Sequence, residues 1–274
     1  MTLPASENKT DFHIHTSLSP CASPEAHVCD YIANARALGM RTLGFANHLW
    51  DAPLDPHWSR YRYLLPQTIE NLLTLRRELD GVNDIELLFG CETEMKIDGT
   101  LAIRPEHAPL FDYILIPTTH LNMPDVAIDP SVREPREVRR LMLDRFVLAA
   151  ESRLARDFHT ALCHPFVPYG FWDIADELLD GITDSEYEYC FSMAAGLDIP
   201  VEVNSRMLSH EGMSSDAHGF PCQFIRIMTI ARECGCRIYP GSDSHEPGYF
   251  SAIHSGGSFD RFAEVCGIKY SRLL

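Results

Sequence analysis

The run Asp11-Phe12-His13-Ile14-His15-Thr16 carries two imidazoles two residues apart. On an extended strand, side chains at that spacing share a face, so His13 and His15 point the same way. Paired imidazoles at a strand end form half of a metal site. A half-exposed strand with two histidines would look the same, so the later chain has to decide. His or a carboxylate recurs where successive β-like runs end: at His48, Glu92, His120, His164, and Asp243 with His245. Six of seven predicted strand ends carry such a group, which a free scattering of thirteen histidines would not produce. Mixed imidazole and carboxylate ligation suits zinc, manganese or iron rather than calcium or magnesium alone.

The elements that must hold these groups are strands alternating with helices. Apolar runs at 12–16, 42–47, 85–89, 113–117, 160–163, 200–203 and 237–239 read as strands. Helical patterns follow at 24–38, 66–79, 134–156, 185–195, 221–234 and 259–266, several stopped by a glycine. The alternation predicts a parallel sheet with helical crossovers, and the continuous apolar strands predict burial on both faces. Seven such units fit an α/β fold of one domain spanning 1–274, a closed (β/α)7 barrel, with an open doubly wound sheet as the alternative. Polar groups at the C-terminal end of nearly every strand favour the barrel, whose rim holds the site. In an open sheet, ligands gather at one switch point instead.

Composition narrows the partners. A formal charge of -16 opposes long DNA or RNA, whose phosphates require a basic surface. No apolar run approaches the ~20 residues that span a bilayer. Residues 1–10 lack the basic start and apolar stretch of a signal peptide, so a cytoplasmic location is expected. The nine cysteines are scattered and form no CxxC pair, which implies neither a disulfide framework nor a zinc knuckle.

The ordered set His13-x-His15, His48, Gly90-x-Glu92, His120, His164 and Asp243-x-His245 resembles the PHP superfamily, the polymerase and histidinol phosphatase domains, over essentially the whole chain. The resemblance implies a distorted (β/α)7 barrel holding two or three divalent metals, Zn, Mn or Fe. One would be held by His13, His15, Glu92 and Asp243. A second would share Glu92 and add His120 and His164. The third would use His48 and His245 with a residue after the first strand. Many relatives have His or Asp where this chain has Cys21, so Cys21 is either a soft thiolate ligand or a bystander. His27 falls inside a predicted helix and is read as structural. Ser215-Asp216-Ala217-His218 mimics the closing motif, but no strand feeds it.

Clustered metals lower the pKa of a bound water, and a bridging hydroxide would attack phosphorus in line. Asp243 or His245 would protonate the leaving alkoxide. Arg206 is the first candidate for the phosphate-binding cation, with Lys96 and Arg104 behind it. Asp11 and Glu94 are expected to orient ligands. The aromatic loop from Trp50 to Tyr63 is read as a lid or a wall of the leaving-group pocket. The leading expectation is a phosphomonoesterase acting on a small phosphorylated metabolite, with histidinol phosphate the first compound to test because Glu202-Val203-Asn204 resembles that branch. A phosphodiesterase or nuclease on short oligonucleotides is the second, and a non-catalytic metal-binding module the third.

Overall fold

Short β-branched and aromatic runs, each too apolar for water on either face, are paired side by side and covered by helices. The computed structural model describes residues 9–274; the N-terminal residues 1–8, read above for a leader, lie outside them. In chain order the elements are β1 (Thr10–Ile14), α1 (Val28–Leu38), β2 (Thr42–Phe45), β3 (His48–Leu49), α2 (Tyr61–Leu64), α3 (Ile69–Leu79), β4 (Glu86–Thr93) and β5 (Tyr113–Pro117). Then come α4 (Pro135–Glu151), α5 (Arg153–Asp157), β6 (Thr160–Cys163), α6 (Ala175–Asp180), α7 (Asp184–Gly196) and β7 (Val201–Asn204). The chain closes with α8 (Cys222–Glu233), β8 (Ile238–Gly241), α9 (Pro247–Ser255) and α10 (Ser258–Cys266).

All strand pairs are parallel, in the order β1-β2-β4-β5-β6-β7-β8. β3 resumes the line of β2 after a break at Ala46-Asn47 and pairs the upper half of β4, His48 opposite Glu92. The eight strands therefore make seven staves. A single bridge, Ile14 opposite Ser244, nearly closes the ring; there the His15 N–H donates to the Ser244 carbonyl at 2.8 Å. The expected (β/α)7 barrel is the observed architecture.

Inside the staves lies a small cluster that includes Phe12, Leu88, Tyr113, Leu115, Cys163 and Tyr239. The Tyr113 hydroxyl crosses the interior to donate to the Phe12 carbonyl at 2.7 Å. A Cβ at Gly44 or Gly90 would overlap the Tyr113 ring, so the glycine of Gly90-x-Glu92 is there to admit that side chain. A larger core lies between staves and helices, where each fully buried Leu or Phe contributes roughly 1.5–3 kcal/mol.

Several boundaries differ from the sequence reading, each for a local reason. The first helix starts at Val28 rather than at residue 24, because the Ser23 N–H is tied to the His245 carbonyl at 2.9 Å. His27 is thus the exposed residue preceding that helix, not a member of it. The long helix read over 134–156 is two: Ser152 leaves helical geometry (ψ 148) and its hydroxyl caps α5 by accepting from the Ala155 N–H. β4 runs on through Thr93, so Glu92 sits within a strand and not beyond one. The short helices α6 and α9 have no periodicity long enough to be read.

Candidate metal centre and active-site cleft

Glu92 stands at the centre of the C-terminal mouth. Five imidazole nitrogens surround its carboxylate: His164 Nε2 at 2.8 Å, His48 Nδ1 at 2.9 Å, His15 and His120 Nε2 at 3.4 Å, and His13 Nε2 at 3.5 Å. Asp243 Oδ1 joins from β8, 3.2 Å from His15 Nε2 and 3.6 Å from His13 Nε2. Strand register brings these groups together, since they come from the C-terminal ends of six different staves, with His13 and His15 sharing β1. Two of them, His164 (φ 34) and Asp243 (φ 50), have left-handed backbones, a conformation non-glycine residues adopt at a cost.

Most rings have one nitrogen committed outward. His13 Nδ1 lies 2.7 Å from Glu202 Oε1, and His120 Nδ1 is 2.9 Å from Glu94 Oε1. His15 Nδ1 is 3.2 Å from Ser19 Oγ, and His245 Nδ1 is 2.8 Å from the Asp243 carbonyl. A ring that donates its Nδ1–H in this way turns an Nε2 lone pair inward, the arrangement metal-binding histidines use.

The residues fit divalent cations. The Nε2 atoms of His13 and His15 approach to 3.0 Å, and His48 Nδ1 and Glu92 Oε2, buried 2.9 Å apart, form no well-aligned hydrogen bond. Such orphaned groups cost about 1–3 kcal/mol each, which a shared cation removes. Three sets of donor atoms converge within 4.8 Å: His13, His15 and Asp243; His15, His48 and His245; and Glu92, Cys163 and His164. Nitrogen, oxygen and sulfur donors together suit zinc or iron better than calcium.

Charge inside the cluster is arranged in opposing pairs. Burial works against a charged His13, yet Glu202, Asp243 and Glu92 hold its pKa well above the ordinary range. Burial, with His245 and His48 nearby, pushes His15 well below it. Glu92 and Asp243 stay well below the usual carboxylate range despite burial, because histidines face both. Cys21 sits at the rim with its Sγ 3.1 Å from His245 Nε2, and His48 and His245 draw its pKa down to about 5 against the effect of burial.

The cluster floors a cleft of about 280 Å³. Arg206 lies on its rim beside Tyr169 and Asp243, and the Tyr169 hydroxyl donates to Asp243 Oδ2 at 3.0 Å. Arg60 and Tyr63 also line it, so the end of the aromatic loop does supply a wall. The two weaker cation candidates are elsewhere: Arg104 is paired with Asp51 at 2.8 Å, and Lys96 faces Asp98 at 3.8 Å. Asp216 accepts from the backbone N–H groups of His218 and Phe220 in a surface turn, and neither Asp216 nor His218 lines the cleft. Glu94 does orient His120. Asp11 bonds no ligand ring; it accepts from the N–H groups of His13 and Ser242, both at 3.0 Å, and faces His254 Nε2 at 2.8 Å, which ties β1 to β8.

Three residues escaped sequence reasoning. Glu202 is fully buried and holds His13, while its second oxygen accepts from the His164 N–H at 2.6 Å and the Asn204 amide at 3.0 Å. An acid inside the apolar run Val201-Glu202-Val203-Asn204 was the available signal, since 202 and 204 share a face. Cys163, one of the scattered cysteines given no role from the sequence, places its Sγ 3.4 Å from both Glu92 Oε1 and His164 Nε2. Burial pushes its pKa up, so it donates as a neutral thiol. Arg60 sits in a loop with no motif.

No family model matches the sequence, and no curated protein matches it. The fold is similar to that of a histidinol phosphate phosphatase, HisK, from Lactococcus lactis subsp. lactis Il1403, solved with zinc, L-histidinol and phosphate. That likeness has a TM-score of 0.59 and 15% identity, covering 96% of this chain and 95% of that one. It is also similar to a candidate histidinol phosphatase, hisK, from Listeria monocytogenes, with a TM-score of 0.62 and 14% identity over 90% of this chain and 99% of that one.

Proposed function

We propose that the chain is one PHP domain acting as a metal-dependent phosphomonoesterase on a small phosphorylated metabolite. The observation that carries this reading is the convergence of five imidazoles and Asp243 on Glu92 at the mouth of a barrel shared with histidinol phosphatases. A cleft of about 280 Å³ suits a metabolite better than an oligonucleotide, and the charge of -16 agrees. When bound, divalent metals supply a water of lowered pKa and neutralise charge on the phosphoryl oxygens.

His13, His15, Glu92 and Asp243 would hold the first metal, and Glu92, His120 and His164 the second. His48, His245 and Cys21 would hold a third, the thiolate favouring zinc or iron. Glu202 and Glu94 fix the rings of His13 and His120 in the ligating tautomer. Arg206 sets its guanidinium over the phosphate, where its planar donors match two oxygens at once. With only the first two metals bound, His245, the more accessible of the closing pair, keeps its Nε2 free of metal to hand a proton to the departing alkoxide, while Asp243 is occupied with its histidine partners and Tyr169.

The test is phosphate release from a monoester panel headed by histidinol phosphate, with zinc, manganese and iron supplied in turn. Chelation is expected to abolish activity and re-addition to restore it. His13→Ala and Asp243→Ala are each expected to lose at least about a hundredfold in kcat with the fold retained. Full activity in either variant, or no release from any monoester, defeats the proposal.

A further inference from the structure

The cleft carries two guanidinium groups, from loops that follow well-separated staves of the barrel. Arg60 follows the β2–β3 stave and is steadied by the Asn122 carbonyl, to which its Nη2 donates at 3.1 Å, in the loop after β5. Arg206 follows β7, beside Asp243 at the end of β8. With the histidine cluster between them, a phosphoryl group seated on the floor and gripped by Arg206 leaves Arg60 facing the alcohol portion of the substrate. Among the described residues, neither arginine forms an ion pair with a carboxylate.

No carboxylate in the cleft is free to answer a cation there. The lining acids are Glu94 and Asp243. Both oxygens of Glu94 lie on His120 Nδ1, at 2.9 and 3.0 Å, and its side chain is 1% exposed. Asp243 is engaged by His15, His13 and the Tyr169 hydroxyl. Cys21, with its Sγ on His245 Nε2, belongs with His48, His120 and His245 to the cluster on the floor, and the rest of the lining, Tyr63, Tyr169, Asn122 and Met123, is neutral. An ammonium or imidazolium leaving group beside Arg60 would therefore meet a guanidinium that no carboxylate pairs, and like charges repel.

We infer that the preferred substrate is a phosphomonoester whose alcohol portion carries its own anionic group, a carboxylate or a second phosphate, read by Arg60. This rests on the phosphomonoesterase reading and sets the chain apart from an enzyme for a cationic amino alcohol such as histidinol. Arg60 acts as a specificity determinant and takes no part in bond breaking.

The experiment compares kcat/KM for histidinol phosphate (cationic alcohol), phenyl phosphate (neutral), 3-phosphoglycerate (carboxylate) and fructose 1,6-bisphosphate (second phosphate), using metal-loaded protein. At least a tenfold preference for one of the two anionic substrates over histidinol phosphate is expected, and the better of the two identifies the anion. Arg60→Gln is expected to shrink that preference at least tenfold, chiefly through KM for the anionic substrate, and Arg60→Glu to shift it further toward histidinol phosphate. A wild-type preference for histidinol phosphate overturns the inference, as does a preference ratio unmoved by Arg60→Gln, while phosphomonoesterase activity itself would stand. Hydrolysis of none of the four overturns the underlying phosphomonoesterase reading and this inference with it.

Discussion

His13 on β1 and Glu202 on β7 meet across the barrel with His13 Nδ1 2.7 Å from Glu202 Oε1, both side chains fully buried. The contact spans 189 positions of sequence, yet it fixes which nitrogen of His13 faces the cluster. The other Glu202 oxygen accepts from the His164 N–H and the Asn204 amide, so one carboxylate sets the positions of two proposed ligands.

Glu202→Gln tests this. With the amide oxygen toward His13, the amide NH2 opposes the donors of His164 and Asn204. In the flipped orientation the NH2 faces His13 Nδ1 and drives the ring proton onto Nε2, which removes the inward lone pair. Metal affinity is expected to fall about 10–100-fold, and stability by about 1–3 kcal/mol for the donor left unpaired. Competition with a chromophoric chelator and a denaturation curve measure the two; unchanged zinc affinity would show that Glu202 does not govern the site.

The same contact explains Gly241. A Cβ there would overlap Glu202 Oε1, a side-chain end pinned by its bonds to His13, His164 and Asn204, and come within 2.9 Å of the His13 Cβ. Gly241→Ala is expected to cost about 1–3 kcal/mol of stability and to lower bound metal per chain. Gly196→Ala, at the end of α7 with nothing within 4 Å of the added methyl, is the control and should change stability by less than about 1 kcal/mol. Equal behaviour of the two variants would contradict the packing argument.

The difference between what the sequence revealed and what it hid follows the range of the interactions. Strand ends could be read because apolar runs and the residue that terminates each are local, and a parallel barrel sends all those ends to one rim. Glu202 was hidden because its partner lies five staves away along the sheet, and an acid within an apolar run has no periodic signature. Arg60 was hidden because loops carry no repeat, and its place in the cleft depends on a single carbonyl of Asn122. The division of the β2 stave at Ala46-Asn47 was hidden as well. Asn47 Oδ1 accepts from the Thr16 N–H at 2.7 Å and the Ser19 hydroxyl at 2.9 Å, bonds between segments no local rule links.

Asp51 gives a pH-dependent prediction away from the cluster. It is 7% exposed, receives Arg104 Nη2 at 2.8 Å and faces His107 Nδ1 at 2.7 Å, anchoring the start of the aromatic loop. Burial alone would raise its pKa, but Arg104 and His107 bring it below the ordinary value. A depressed folded-state pKa means that the unfolded chain binds the proton more tightly. The stabilisation is therefore complete above the unfolded value near ~3.9 and is lost as pH falls through the lower folded value. Asp51→Asn should melt below wild type at pH 7, and the gap should narrow progressively below about pH 4. Melting curves of both proteins between pH 3 and 7 check this, and a gap independent of pH would refute it.

Arg145 on α4 makes the last prediction, and it concerns how the loops carrying Glu94 and His120 are held. Its side chain is buried, and it donates to the carbonyls of Thr118 at 2.9 Å, Ala127 at 3.0 Å and Met95 at 3.1 Å. Met95 directly follows Glu94, and Thr118 stands two residues before His120, so one guanidinium clamps the segments after β4 and β5. Arg145→Met fills similar volume but leaves three buried carbonyls without donors, each costing about 1–3 kcal/mol. The expected loss is at least about 3 kcal/mol in urea unfolding, with Arg145→Lys recovering only part because one ammonium cannot reach all three acceptors. If Arg145→Met were as stable as wild type, the clamp would contribute nothing to the site's support.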